Sequence, residues 1–119
     1  MPTRFVILHH KLADSEHWDL MLERGEVMLT WQLEREPVDQ AGLPIPAERI
    51  GDHRKAYLEY EGPVSGDRGH VRRVDAGTVE FGEVGPNRVV VHLEGQRLAG
   101  SFTLDQGVDG WIFDSSKGT

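Results

Sequence analysis

The chain contains no cysteine. A disulfide framework and a thiolate zinc site are therefore excluded, and any metal must rest on His, Asp or Glu. It also lacks a run of about 18 apolar residues, so no membrane-spanning helix is expected. The apolar stretch within MPTRFVILHH is far too short for a signal peptide, which makes a cytoplasmic location the default expectation. Positive charge is scarce: 13 Lys/Arg stand against 20 Asp/Glu, a net of −7. This argues against a protein that binds polyanions over its whole surface. The deficit is uneven. Residues 49–73 carry six Lys/Arg and four acids, a local net of +2, and hold His53 and His70 as well. Heptads, internal repeats, low-complexity tracts and a convincing long helix are all missing.

What is present suits one folded domain over residues 1–119, with 38% apolar and 28% charged residues. The polar stretch Ser115–Thr119 is expected to fray. Short apolar or alternating runs between turn signals predict strands at Arg4–His9, His17–Glu23, Glu26–Leu33, Ala56–Glu61, Gly69–Val74, Thr78–Val84, Arg88–Leu93, Arg97–Leu104 and Gly110–Phe113. Arg24-Gly25 and Glu94-Gly95-Gln96 read as tight turns. Glu36–Arg49 contains Pro37, Pro44 and Pro46 and reads as a long surface loop, with room for one helical turn near Pro46–Ile50. Many short strands with little helix suggest a closed or nearly closed β-barrel, or a sandwich.

His-Trp-Asp-Leu-Met-Leu-Glu, residues 17–23, is the stretch with most chemistry in it. On a strand, Trp18, Leu20 and Leu22 share one face, and His17, Asp19, Met21 and Glu23 share the other. His17 and Asp19 then point the same way and can bind one ion. His10 ends the preceding strand, and the connection Lys11–Glu16 could fold it back over the start of the next. Because His9 and His10 alternate, at most one of them faces the site. Two imidazoles and a carboxylate form a facial three-ligand set that leaves coordination positions for water or substrate. A hydrogen-bonded His–Asp couple on a solvated face would use the same spacing. Further on, His53 stands beside Arg54 and Lys55, a combination suited to a phosphate, although an exposed charged loop reads the same way.

Phe5-Val6-Ile7, His10, the 17–23 stretch, Gly25 and Trp31 together resemble the start of the phosphoesterase domain of bacterial DNA ligase D. The likeness continues at Asp52-His53, Tyr57 and Glu61-Gly62, and more faintly at Leu98–Phe102 and Trp111. The resemblance implies a compact barrel, so the expected fold is mainly β: a small single-domain β-barrel with a long loop and little helix. It implies a manganese-dependent hydrolase of the 3′ ends of nucleic acid in DNA repair, removing a terminal ribonucleotide and then the 3′-phosphate. Other divalent transition metals could serve. By position, His10, His17 and Asp19 would be the metal ligands. His53 would contact the scissile phosphate, and Tyr57 would line the pocket. Expected partners are a nucleic-acid 3′ end or another phosphate ester, with a separately encoded repair ligase or polymerase; no membrane is implied, and a monomer is expected.

Two departures from that family pattern stand out. The arginine two residues after the aspartate is Met21 here, which removes an anion clamp; Arg49 or Arg54 could replace it from the loop. The connection between His10 and His17 is one residue longer. Alternative readings are a non-catalytic module that binds metal or a nucleic-acid end, and a phosphoesterase for a different small phosphate ester.

Overall fold

Sequence alternation closes into a barrel in the computed structural model, which describes residues 2–37, 42–64 and 66–116. The strands are β1 (Thr3–Lys11), β2 (Glu16–Arg24), β3 (Val27–Leu33), β4 (Ile45–His53), β5 (Gly62–Pro63), β6 (His70–Val84), β7 (Arg88–Gly95), β8 (Ala99–Gly107) and β9 (Gly110–Ser115). A 3₁₀ helix, Lys55–Leu58, joins β4 to β5. Around the barrel the order is β1-β2-β3-β4-β9-β8-β7-β6, and β6 pairs back onto β1; β5 adds to β6 outside this ring. Every pairing is antiparallel. Closure leaves few free strand edges. Among the described residues no helix is long and apolar enough to cross a membrane.

One set of alternate side chains fills the barrel. Phe5, Ile7, Leu20, Leu22, Trp31 and Phe113 are all buried there, with Phe102 stacked on Phe113 at 5.2 Å between ring centroids. Trp18 packs at the rim of this cluster, as the 17–23 alternation requires. The opposite face of β1, β2 and β3 is also apolar over part of its length. Val6, Leu8, Met21, Met28 and Val71 form a second cluster outside the barrel, and Leu58 from the 3₁₀ helix covers it. This double burial explains the unbroken Phe-Val-Ile-Leu of β1, where alternation would predict polar residues.

Several expectations change. Glu36–Arg49 is not all loop, because β4 starts at Ile45; the expected helical turn near Pro46–Ile50 is strand. Pro46 is tolerated at the second position of β4, where its missing N–H removes one donor and its carbonyl accepts from Glu34 N–H at 3.1 Å. Residues 38–41 lie outside the described part. The strand expected at Ala56–Glu61 is largely the 3₁₀ helix, which turns Leu58 down onto the outer cluster. The two strands expected at 69–74 and 78–84 are one long β6 with a bulge where Ile7 pairs Asp75 and Leu8 pairs Arg73. Ser115 and Ser116 are not frayed: Ser115 pairs with Phe102 and Ser116 N–H donates to Ser101 at 2.8 Å. Residues 117–119 lie outside the described part.

A buried carboxylate holds the β6 bulge to the β7–β8 turn. Asp75 accepts hydrogen bonds from the backbone N–H groups of Ala76, Gln96 and Leu98 at 2.8 Å each, and from Arg97 at 3.2 Å. The turn can approach this closely because residue 95 is glycine. A Cβ there would lie 2.6 Å from Asp75 Oδ2 and 2.8 Å from the Leu98 carbonyl oxygen.

Candidate metal centre and adjoining cleft

The β1–β2 hairpin sets His10 directly opposite His17, and Leu8 opposite Asp19. His10 therefore reaches the site by strand register, not by a connection folding back over β2. The turn itself is four residues, closed by Leu12 N–H to Ser15 O at 2.8 Å. His9 takes the other face and stacks on Trp18 at 4.8 Å. On the outer face one donor atom from each of His10, His17 and Asp19 lies within 4.8 Å of the others. His10 Nδ1 is 3.7 Å from Asp19 Oδ2, and His17 Nε2 is 3.1 Å from Asp19 Oδ1. Donors bonded to one ion at about 2.0–2.2 Å lie roughly 3–4 Å apart, which these separations match.

Polar bookkeeping separates the site from an ordinary ion pair. His17 Nε2 and Asp19 Oδ1 are both buried and neither makes a hydrogen bond, although they are at ion-pair distance. The direction between them is wrong for a shared proton. Two buried polar atoms left in this way are costly. A cation held between them satisfies both, so these three residues fit a divalent metal.

The tautomer of His10 is set from outside. Its Nε2 is 2.6 Å from the carbonyl oxygen of Arg68. A carbonyl only accepts, so Nε2 carries the proton and the lone pair of the neutral ring sits on Nδ1, the atom nearest Asp19. Orientation of a ligating imidazole by a backbone carbonyl is a usual outer-shell device of metal sites. Gly69 makes the approach possible. Its φ is +84°, and a Cβ would fall 2.1 Å from the Lys11 carbonyl oxygen. Sequence reading missed this contribution because it comes from backbone; the turn-forming Gly66-Asp67-Arg68-Gly69 was its only trace.

Met21 follows Asp19 on the same face, but it is buried beneath Leu58 in the outer cluster. A guanidinium at position 21 would have to pass through that apolar layer. Across the sheet, Asp19 pairs with Gln32 and Gln32 with Glu48, so an amide and a second carboxylate flank the centre.

His17 also lines a cleft of about 890 Å³ at the barrel mouth, together with Gln32, Glu48, Arg49 and Trp111. Arg49 rests over Trp31 at 4.9 Å and Trp111 at 5.9 Å, and those two rings meet edge to face. Glu16, Glu34, Glu48 and Asp109 make the cleft acidic. Its field attracts a cation before it admits an anion.

The other residues expected at the site stand elsewhere on the same face. His53 pairs with Met28, four residues along β3 from the Gln32–Asp19 row, or roughly 13 Å at about 3.3 Å per residue. Its Nδ1 is 3.0 Å from the Gly51 carbonyl oxygen, and its ring meets Tyr57 edge-on at 5.4 Å. Arg54 and Tyr57 line a second cavity of about 440 Å³ with Tyr60, Pro63 and Val64. The structure thus brings His10, His17 and Asp19 together on the outer face, sets Arg49 beside Trp31 on the inward-facing row of the cleft that His17 lines, and gathers His53, Arg54 and Tyr57 around the 3₁₀ helix. Glu23 ties that helix down. Burial pushes its carboxyl up, but the Arg4 backbone N–H at 2.9 Å and the Lys55 ammonium at 3.2 Å outweigh this and hold its pKa below the ordinary value.

Residues 8–106 match the family described as the DNA Ligase D 3′-phosphoesterase domain. The multifunctional non-homologous end joining protein LigD of Mycobacterium bovis is 30% identical over 107 residues, covering 84% of this chain. The corresponding DNA repair proteins of two Mycobacterium tuberculosis strains are 30% and 29% identical over the same length. This chain spans about 14% of the length of these relatives. A family match across most of the chain agrees with the barrel and with the His-His-Asp cluster on its outer face, and we conclude that the chain belongs to the DNA ligase D 3′-phosphoesterase domain family.

Proposed function

We propose that this protein is a divalent-metal-dependent phosphoesterase that trims the 3′ ends of nucleic acid in DNA repair, with manganese as its metal. The observation that carries the reading is the buried, unsatisfied pair His17 Nε2 and Asp19 Oδ1 beside His10, in a chain of this family. A divalent ion held there supplies positive charge against the phosphoryl oxygens and acidifies the attacking water. The chain's own residues orient the substrate. Arg49, over the Trp31 and Trp111 rings at the cleft that His17 lines, reaches the bound end from the barrel mouth in place of the clamp that Met21 cannot supply, and grips a phosphoryl oxygen. His53, with Nδ1 on the Gly51 carbonyl, keeps Nε2 for a phosphate or leaving oxygen of the same bound end. Arg54 and Tyr57 border its path. The relatives' names describe multifunctional non-homologous end-joining proteins, which supports a role in end joining, beside a repair ligase or polymerase as the partner we propose.

The deciding experiment is a gel assay with Mn²⁺ and two primer–templates, one ending in a 3′-phosphate and one in a single 3′-ribonucleotide. Trimming of both is expected. No trimming by protein that still binds Mn²⁺ would replace the enzyme with a module that binds metal or a nucleic-acid end; the acidic cleft is what favours that second reading.

Two substitutions probe the roles assigned. Asn places its side-chain oxygen where Nδ1 of a histidine stands, whereas Gln places its amide near Nε2. His10→Asn should therefore keep measurable Mn²⁺ affinity in titration calorimetry, and His10→Gln should lose more than about tenfold relative to it. The reverse order would assign Nε2 as the ligand atom. Arg49→Ala should raise KM for the 3′-phosphate end by about tenfold or more while Mn²⁺ affinity stays put. An unchanged KM would remove Arg49 from the substrate.

A further inference from the structure

We propose that the cavity beside the 3₁₀ helix is a nucleobase subsite, seating a base of the 3′ end whose phosphate lies at the metal centre. This rests on the phosphoesterase reading above and extends it to what the enzyme recognises. The walls have the right chemistry. Tyr57 and Tyr60 stand edge to face at 6.1 Å, Pro63 and Val64 close the apolar side, and Arg54 brings a cation to the rim. Aromatic faces with an arginine are the usual platform for an unstacked base, and they tolerate any sequence because every base has a π face. At about 440 Å³ the cavity is of ligand-pocket size. Tyr60 is 38% exposed, yet its hydroxyl donates to the Pro63 carbonyl, so the ring is held in place while remaining accessible.

Position and charge agree. Gly62, next to the cavity-lining Pro63, pairs with Val71, Val71 with His10, and His10 with His17, so one row across the sheet runs from the edge of the cavity to the metal ligands. Gly62 and His10 are two strand spacings apart, roughly 10 Å, a separation that a nucleotide can bridge between base and phosphate. The cavity lies in the 49–73 segment, which is net positive within a chain of net −7. A nucleic-acid end repelled by the rest of the surface meets its least unfavourable field here.

The test compares two primer–templates, one ending in a 3′-ribonucleotide with its base and the other in the same ribose without a base. KM for trimming in Mn²⁺ is measured for wild type, Tyr60→Ala and Tyr60→Phe. The base-bearing end is expected to show a KM lower by about tenfold in wild type. That ratio should fall close to one in Tyr60→Ala and stay clearly above one in Tyr60→Phe, which keeps the ring but loses its hydroxyl anchor on the Pro63 carbonyl. Equal KM values for the two ends in wild type, or a ratio that survives Tyr60→Ala, would overturn the subsite and leave the phosphoesterase reading standing. Failure to trim either end would bring down both.

Discussion

Asp19→Ala is expected to lower Mn²⁺ affinity by more than about 100-fold and to abolish 3′-end trimming. The more telling result concerns stability. In metal-free protein Asp19 Oδ1 is buried and makes no hydrogen bond, and it faces an equally unsatisfied His17 Nε2. Deleting the carboxylate removes an unpaid desolvation cost, so the midpoint of thermal unfolding without metal should stay level or rise. With Mn²⁺ the order should invert. Wild type gains about 2.7 kcal/mol when free metal is at 100 times its Kd, and the variant gains almost none. Such a crossing distinguishes a metal ligand from a structural ion pair. If Asp19 instead anchors His10 and His17 through salt bridges, the variant will be the less stable protein in both conditions, and the ligand assignment fails.

The second large effect lies on β6, next to β1 but four residues along from Val71, the partner of His10. Asp75→Ala strips the acceptor from four backbone N–H groups, those of Ala76, Gln96, Arg97 and Leu98. Each buried donor left unpaired costs about 1–3 kcal/mol, and sharing among neighbours keeps the total below the sum. A loss of about 3–5 kcal/mol in denaturant unfolding is expected, a large part of the stability of a domain this size. Asp75→Asn keeps one acceptor oxygen and turns an amide NH₂ toward donors, so it should fall between wild type and Asp75→Ala. A loss under about 1 kcal/mol for Asp75→Ala would mean that water or a local shift satisfies the turn. Neither Asp75 nor its partners touch the metal centre, so Mn²⁺ affinity measured on folded protein should not change.

The two aspartates differ in how readable they were. Asp19 was legible because His-x-Asp on a strand must share a face, and because the residues on either side of it, Trp18 and Leu20, claimed the core. Asp75 was not legible. Nothing local marks it, since its partners other than the adjacent Ala76 lie more than twenty residues away in a turn brought near only by closure of the barrel. Arg49 shows the intermediate case. Charge and position made it a candidate for phosphate, but its place over Trp31 and Trp111 follows from the β3–β4 and β4–β9 pairings. The strand carrying it was hidden by Pro44 and Pro46, because proline opposes a strand pattern whatever the ladder can tolerate.

By itself the sequence determined the β class, most strand positions, the core-facing set Trp18, Leu20 and Leu22, and the shared face of His17 and Asp19. These follow from a side-chain period of two and from turn chemistry, both of which act over a few residues. Tertiary structure alone decided that Met21 is core and not surface, because Leu58 arrives there from a 3₁₀ helix that follows β4. It also decided that His10 presents Nδ1 to the site, because the Arg68 carbonyl, 58 residues along the chain, accepts the proton of Nε2. Contacts of that range depend on register and closure, and register is set by the whole sheet at once.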